Sequence, residues 1–139
     1  MTESASVIIV NWNGLYHLKR CLSAVKRQTL RDFEVIVVDN GSTDGSVDWL
    51  QHYHPEIVLL INSENLGFAE ANNQGIGVAR GAYIVVLNND AQPEPQWLES
   101  LTRTVESDDR VGMVASQICL ADAPDRLDSA GIDVDILGT

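Results

Sequence analysis

Short runs of β-branched and apolar residues alternate along this chain with stretches of helical spacing, and that alternation is the strongest constraint on its fold. "SVIIVNWN" has a strand pattern. "GLYHLKRCLSAVKRQ" then sets Leu15, Leu18, Leu22 and Val25 on one helical stripe, with basic residues on the other side. Phe33–Val38 is the clearest strand, followed by a helix carrying Val47 and Leu50, and "IVLLIN" is a third strand after Pro55. "LGFAEANNQGIGVARG" reads as a small-residue helix with Phe68, Ala71, Gly75 and Ala79 facing inward; its glycines lower helix propensity and imply close packing on a sheet. "AYIVVLNND" is a fourth strand, ended by Pro93 and Pro95. Pro95 suits the first turn of a helix bearing Trp97, Leu98, Leu101 and Val105. "VGMVASQICL" reads as a fifth strand, and the residues after Leu120 as loop-rich. Asn13 is a candidate cap for the first helix, and Ser42, Thr43 and Asp44 for the second. Continuous apolar strands between amphipathic helices imply an α/β fold: a mostly parallel sheet with helices on both faces, here as a single domain over residues 1–139.

The totals set further limits. Hydrophobic residues make up 45% of the chain and charged ones 21%, a globular composition. No apolar run approaches the roughly 20 residues of a membrane span. The polar start, Met1 to Ser6, lacks the basic and apolar segments of a signal peptide, so the expected setting is the cytoplasm or the inner face of the membrane. Twenty acidic against nine basic residues give a net charge of −11. That charge repels nucleic acid and anionic membrane at long range, and no nucleic-acid partner is expected. A phosphate ligand stays compatible, because a divalent cation can bridge it to carboxylates.

The polar residues fall where the strands stop. The first strand ends at Asn11-Trp12-Asn13, the second at Asp39-Asn40 and the fourth at Asn88-Asn89-Asp90. In a parallel sheet these ends share one edge, which is where such folds bind ligands. Asp90 is a candidate ligand for Mg²⁺ or Mn²⁺, with neutral oxygens on Asn88 and Asn89 beside it; a plain turn residue is the competing reading. Trp12 could stack on a nucleobase or merely pack on the rim. Asp39 could accept a hydrogen bond from a base or a ribose, or cap the next helix. Loop capping by Asn and Asp is the general alternative for the whole set.

Other features carry less. "GIGVARG" has its glycines at the wrong spacing for a dinucleotide fingerprint and precedes a strand instead of following one. Cys21 and Cys119 are too few for a zinc motif and read as reduced packing residues. His17, His52 and His54 fall in or after helical patterns and are expected at the surface. No nucleophile constellation stands out.

"VIIVNWNG", "FEVIVVDNGSTDGS", "NSENLGFAEANNQGI" and "GAYIVVLNNDAQPEP", in this order and spacing, resemble the family 2 glycosyltransferases of the GT-A fold, most of all their rhamnosyltransferase-like branch. The resemblance implies a nucleotide-diphospho-sugar donor, a divalent metal (Mg²⁺ or Mn²⁺), and inverting transfer to a polysaccharide or glycolipid acceptor. Asn88-Asn89-Asp90 is similar to the family's D-x-D position, with Asp90 as the metal-binding carboxylate and Asn88 replacing the first Asp. Asp39 matches the base-binding aspartate, with Asn40 beside it, and Val10, Asn11, Trp12 and Asn13 match the strand end that holds the nucleoside. Asn65, Gly67 and Asn73 match the stretch lining the nucleotide and sugar pocket.

Inversion needs a carboxylate to deprotonate the acceptor hydroxyl. In the family that base follows the D-x-D region. Asp122, Asp125, Asp128, Asp133 and Asp135 lie in that direction, and nothing in the sequence selects among them. The chain therefore reads as the donor-binding part of a longer enzyme, with a non-catalytic nucleotide-binding module as the alternative. An incomplete domain could also self-associate through apolar surface.

Overall fold

The computed structural model describes residues 3–129, in two compact units divided between Gln96 and Trp97. In the first unit, β1 (Ala5–Asn11), β2 (Phe33–Asp39), β3 (Val58–Ile61) and β4 (Tyr83–Asn88) form one sheet in the order β3-β2-β1-β4, parallel throughout. The linking helices are α1 (Leu15–Lys26), α2 (Ser46–Tyr53) and α3 (Phe68–Val78). The chain steps outward from β1 to β3, and α3 then carries it back to pair β4 with the other side of β1. That return makes a topological switch point between β1 and β4, the place at the carboxyl ends of the strands where folds of this class bind ligands.

Side-chain alternation shows which helix covers which face. Ile8, Ile36 and Val38 cluster with Ala71 of α3, and Val10, Val58, Leu60 and Ala79 pack around them. Gly75 lets α3 sit close: a Cβ there would lie 2.6 Å from Ile8 Cγ2. On the other face Val7, Ile9 and Val37 are buried too, as is the apolar stripe of α1, Leu18, Leu22 and Val25. Helices therefore cover both faces, as the strand pattern implies. Phe68 is an exception: it opens α3 and is exposed, so only Ala71, Gly75 and Ala79 of the four residues expected inward pack there.

A buried carboxylate locks the amino end of the sheet. Glu34 accepts from Ser6 Oγ (2.6 Å), from the Arg80 backbone N–H (2.6 Å) and from the Arg80 guanidinium (2.8 and 3.1 Å). Burial alone would raise its pKa, but the bonds from Ser6 and Arg80 outweigh it and hold the carboxyl below its usual range. A depressed pKa contributes stability above the ordinary carboxylate value, and that stability is lost as pH falls through the folded value. Glu34→Gln is accordingly expected to lower stability by about 2 kcal/mol at neutral pH. Urea titrations of both proteins should converge as the pH drops below about 4.3; a constant gap down to pH 2 would contradict the role of the charge.

The second unit holds α4 (Trp97–Val105) and an antiparallel pair, β5 (Ile118–Leu120) and β6 (Ala123–Ser129). Two expectations are corrected here. Of "VGMVASQICL" only the last three residues form a strand; residues 111–117 are irregular, with Met113 exposed. The stretch after Leu120, expected as loop, contains β6. Two smaller corrections concern single residues. Cys119 is exposed, whereas Cys21 is buried; both are free. His54 is buried against Trp49, with ring centroids 4.5 Å apart, while His17 and His52 are exposed.

Candidate functional site

Register puts the three polar strand ends side by side. Asn11 lies opposite Asp39, and Val10 opposite Asn88. Their side chains form one network. Asn11 Nδ2 donates to Asp39 Oδ2 (2.9 Å) and to Ser42 Oγ (3.3 Å), while Asn11 Oδ1 accepts from Asn89 Nδ2 (3.0 Å). Asp39 Oδ1 accepts from the Ser42 backbone N–H (2.8 Å). Asn11 and Asp39 are fully buried, so this triad of β1, β2 and β4 tips is the floor of the rim.

Gly14 makes the floor possible. A Cβ at Gly14 would fall 2.3 Å from Asn89 Nδ2 and 2.8 Å from Asn11 Oδ1. Gly14→Ala is therefore expected to break the Asn11–Asn89 bond and cost about 1–3 kcal/mol. The check is a denaturant midpoint together with loss of the Asn89 side-chain amide's protected resonance; a midpoint equal to wild type would contradict the packing.

The walls come from two loops. Asn40 Nδ2 donates to Asn65 Oδ1 (3.2 Å) and to the Gly67 carbonyl (3.1 Å), tying the loop after β2 to the loop after β3. Asn62 Nδ2 donates to Asn40 Oδ1 (2.9 Å) and pairs with Gln74 of α3. Gly67 takes a positive φ of 86°, and its N–H donates to Asn65 Oδ1 (2.9 Å). Asn65 and Gly67 thus join the site through Asn40.

The capping roles differ from those expected. Asn13 does not cap α1: it is left-handed (φ 48°), and its Oδ1 accepts from the Thr43 backbone N–H (2.8 Å). Asp44 serves α1 instead, accepting from the Leu15 N–H (2.8 Å). It also accepts from the Ser46 N–H (3.1 Å), the first residue of α2. Burial opposes the Asp44 charge, but the bonds from Ser46 and Leu15 prevail and depress its pKa. The two loops hold each other, and the positive end of α1 is filled by a carboxylate of the chain itself.

The other expected site residues divide by exposure. Val10 packs on the core cluster beneath the rim. Trp12 is 56% exposed. Asn88, Asp90 and Asn73 are also exposed, and Asn89 is half-buried. Asp90 sits in a turn closed by the Ala91 N–H donating to the Asn88 carbonyl (3.1 Å). Cys21 Sγ lies 3.6 Å from that same carbonyl, and its thiol is pushed up to about 12 by burial first and by the Asp90 charge second. Cys21 is thus a protonated neighbour of Asp90, not a thiolate ligand. Asp122, Asp125 and Asp128 are exposed in the second unit; Asp133 and Asp135 lie outside the described residues.

Ser42, Asn62 and Gln74 belong to the network and do not stand out in the sequence as site residues. Outside that network, the buried amide of α3 is Asn72, whereas Asn73 is exposed. Asn72 Nδ2 donates to the Phe68 carbonyl (2.9 Å), and its Oδ1 has no partner among the described residues.

The donor set at Asp90 is all oxygen. Among the described residues no group of three or more His, Cys, Asp or Glu side chains could hold a metal. One carboxylate still fits a hard cation that takes its remaining ligands from phosphate and water. The rim thus offers an amide floor, the exposed Trp12 indole and, at the end of β4, the exposed Asp90 carboxylate.

Residues 6–127 match the family described as Glycosyl transferase family 2. The glycosyltransferase AglE of Haloferax volcanii is 37% identical over 105 residues, covering 72% of this chain and 34% of AglE. YibD of Escherichia coli, an uncharacterized glycosyltransferase, is 32% identical over 143 residues, 94% of this chain and 41% of YibD. The mannosyltransferase PcManGT of Pyrobaculum calidifontis, solved with GDP-Man and Mn²⁺, superposes with a TM-score of 0.67 at 27% identity, covering 81% of this chain and 34% of PcManGT. The chain spans about a third of the length of such relatives.

Proposed function

Since the chain belongs to glycosyl transferase family 2 and shares the GT-A fold, we propose that it forms the donor-binding part of an enzyme that takes a sugar from a nucleotide diphosphate and transfers it, with inversion, to a polysaccharide or glycolipid acceptor. The observation that carries this reading is the continuous network from Asn89 through Asn11 and Asp39 at the floor, with Asn40, Asn65 and Gly67 in the walls, beside the exposed Asp90.

In this reading Trp12 presents its ring to the nucleobase. Asp39 acts from below. Both its oxygens hold the chain's own N–H groups, so it fixes Asn11 and the Ser42 loop, and a base reaches it only where that loop gives way. Asp90 would hold Mg²⁺ or Mn²⁺, which when bound neutralises charge on the departing diphosphate. Asn88, in the first position of the D-x-D-like motif, offers a neutral oxygen there. The carboxylate that deprotonates the acceptor is assigned to no described residue.

A non-catalytic nucleotide-binding module is the second reading, and the amide at Asn88 favours it. A thermal-shift screen of UDP-, GDP- and dTDP-sugars with and without Mn²⁺ tests the donor site. Stabilisation by one nucleotide class that needs Mn²⁺ is the expected result; no response to any of them would overturn it. Transfer assays with a saccharide acceptor then separate enzyme from module.

A further inference from the structure

The net charge of −11 hides a strong segregation. Residues 14–31 contain five of the nine Lys and Arg residues and no Asp or Glu. On α1 the core side is Leu18, Cys21, Leu22 and Val25. At 100° per residue Lys19, Arg20, Lys26 and Arg27 fall within an arc of about 120° on the opposite side, together with Tyr16. All five are exposed.

Among the described residues, only Lys26 of these five cations has a carboxylate partner, Glu56 at 3.2 Å. Lys19 sits over the Trp49 ring at 5.4 Å, and Arg20 over the Tyr16 ring at 5.5 Å with Nη1 donating to the Tyr16 hydroxyl (3.0 Å). Arg27 Nη1 donates to Ser23 Oγ (3.0 Å) and Arg31 Nη1 to the Lys26 carbonyl (3.3 Å). By contrast Arg80, Arg103 and Arg110 are each ion-paired. Of the acidic groups, Glu56 pairs with Lys26 and Asp44 accepts from the Leu15 N–H at the start of α1 (2.8 Å). Tyr16 and Tyr53 add exposed rings, 66% and 62% accessible.

We propose that this outer face of α1, with the aromatic edge of α2, docks on an anionic lipid surface. Cations on one helix face beside exposed aromatic rings are the chemistry that recognises acidic headgroups at a membrane interface. The outer side of a 12-residue helix, about 18 Å long and convex outward, meets a plane better than it fills a groove. The acidic remainder of the protein repels the same surface, so it orients the molecule with α1 toward the lipid instead of allowing indiscriminate adsorption. The proposal is independent of the donor reading: it rests on α1 and α2, not on the rim.

Flotation with vesicles tests it directly. The chain is expected to float with phosphatidylcholine vesicles in which about a third of the lipid is phosphatidylglycerol, and not with phosphatidylcholine alone. Binding should vanish at about 0.5 M salt. Arg20→Glu with Arg27→Glu is expected to weaken it at least about tenfold with an unchanged melting temperature, and Arg20→Lys with Arg27→Lys to retain it. Equal flotation on both lipids, no flotation on either, or indifference to the charge reversal would overturn the proposal. Tighter binding to an RNA oligonucleotide than to the vesicles would replace the lipid by a different polyanion and overturn it as well.

Discussion

Asp90→Ala is expected to remove the Mn²⁺-dependent part of nucleotide-sugar binding while leaving the fold intact. Asp90 is exposed in a turn, and it is the one acidic member of the motif at the end of β4, so no neighbour takes over its role. Removing a ligand outright should cost at least the roughly 100-fold that loss of an outer-shell partner can cost in metal affinity. A ligand present at 100 times its dissociation constant stabilises the native state by about 2.7 kcal/mol, and a 100-fold weaker one by only about 0.4 kcal/mol. For a domain of this size that is a difference of roughly 10 °C in melting temperature, measured with and without Mn²⁺. An equal shift in the two proteins would remove Asp90 from the site.

Asp39→Ala carries the second large effect, and it is expected to fall on stability first. The side chain is fully buried between the tips of β1 and β2. Its loss leaves the Asn11 amide with only the longer bond to Ser42 Oγ, and the Ser42 N–H without its acceptor. Two orphaned donors and a small cavity should together cost about 3 kcal/mol. Asp39→Asn keeps one acceptor and turns a donor toward a donor, so it should cost less than alanine but more than nothing. Urea midpoints measure both. A stable Asp39→Ala that has merely lost nucleotide affinity would mean that Asp39 serves the ligand alone and is not the keystone of the floor.

Much of this site was legible from the chain alone, because local chemistry announces it. The β-branched runs specify strands, and amides and carboxylates at their ends specify a polar rim once the strands are parallel. What was not legible depends on partners distant in sequence. Asn13 binds the Thr43 N–H and Asp44 binds the Leu15 N–H as well as the Ser46 N–H of its own helix, so two of these bonds join residues about thirty positions apart. The burial of both Asp39 oxygens follows from the β1–β2 register, which the sequence does not print. Asn72 and Asn73 are identical neighbours; only the rotation of α3 decides that the first is buried. In the second unit the apolar content of "VGMVASQICL" pointed to a strand, yet only Ile118–Leu120 finds a partner. That partner, "APDRLDS", has a single large apolar residue and no alternation to read.

Paramagnetic broadening by Mn²⁺, in the presence of UDP or GDP, tests the central claim most directly. If the strand tips form one metal–diphosphate rim, the backbone amides of Asn11 to Asn13, Asp39 to Ser42 and Asn88 to Ala91 lose intensity together, while those of Glu34 and Gly81 at the opposite end of the sheet keep theirs. Broadening spread over acidic residues across the surface, or centred away from Asp90, would contradict the account.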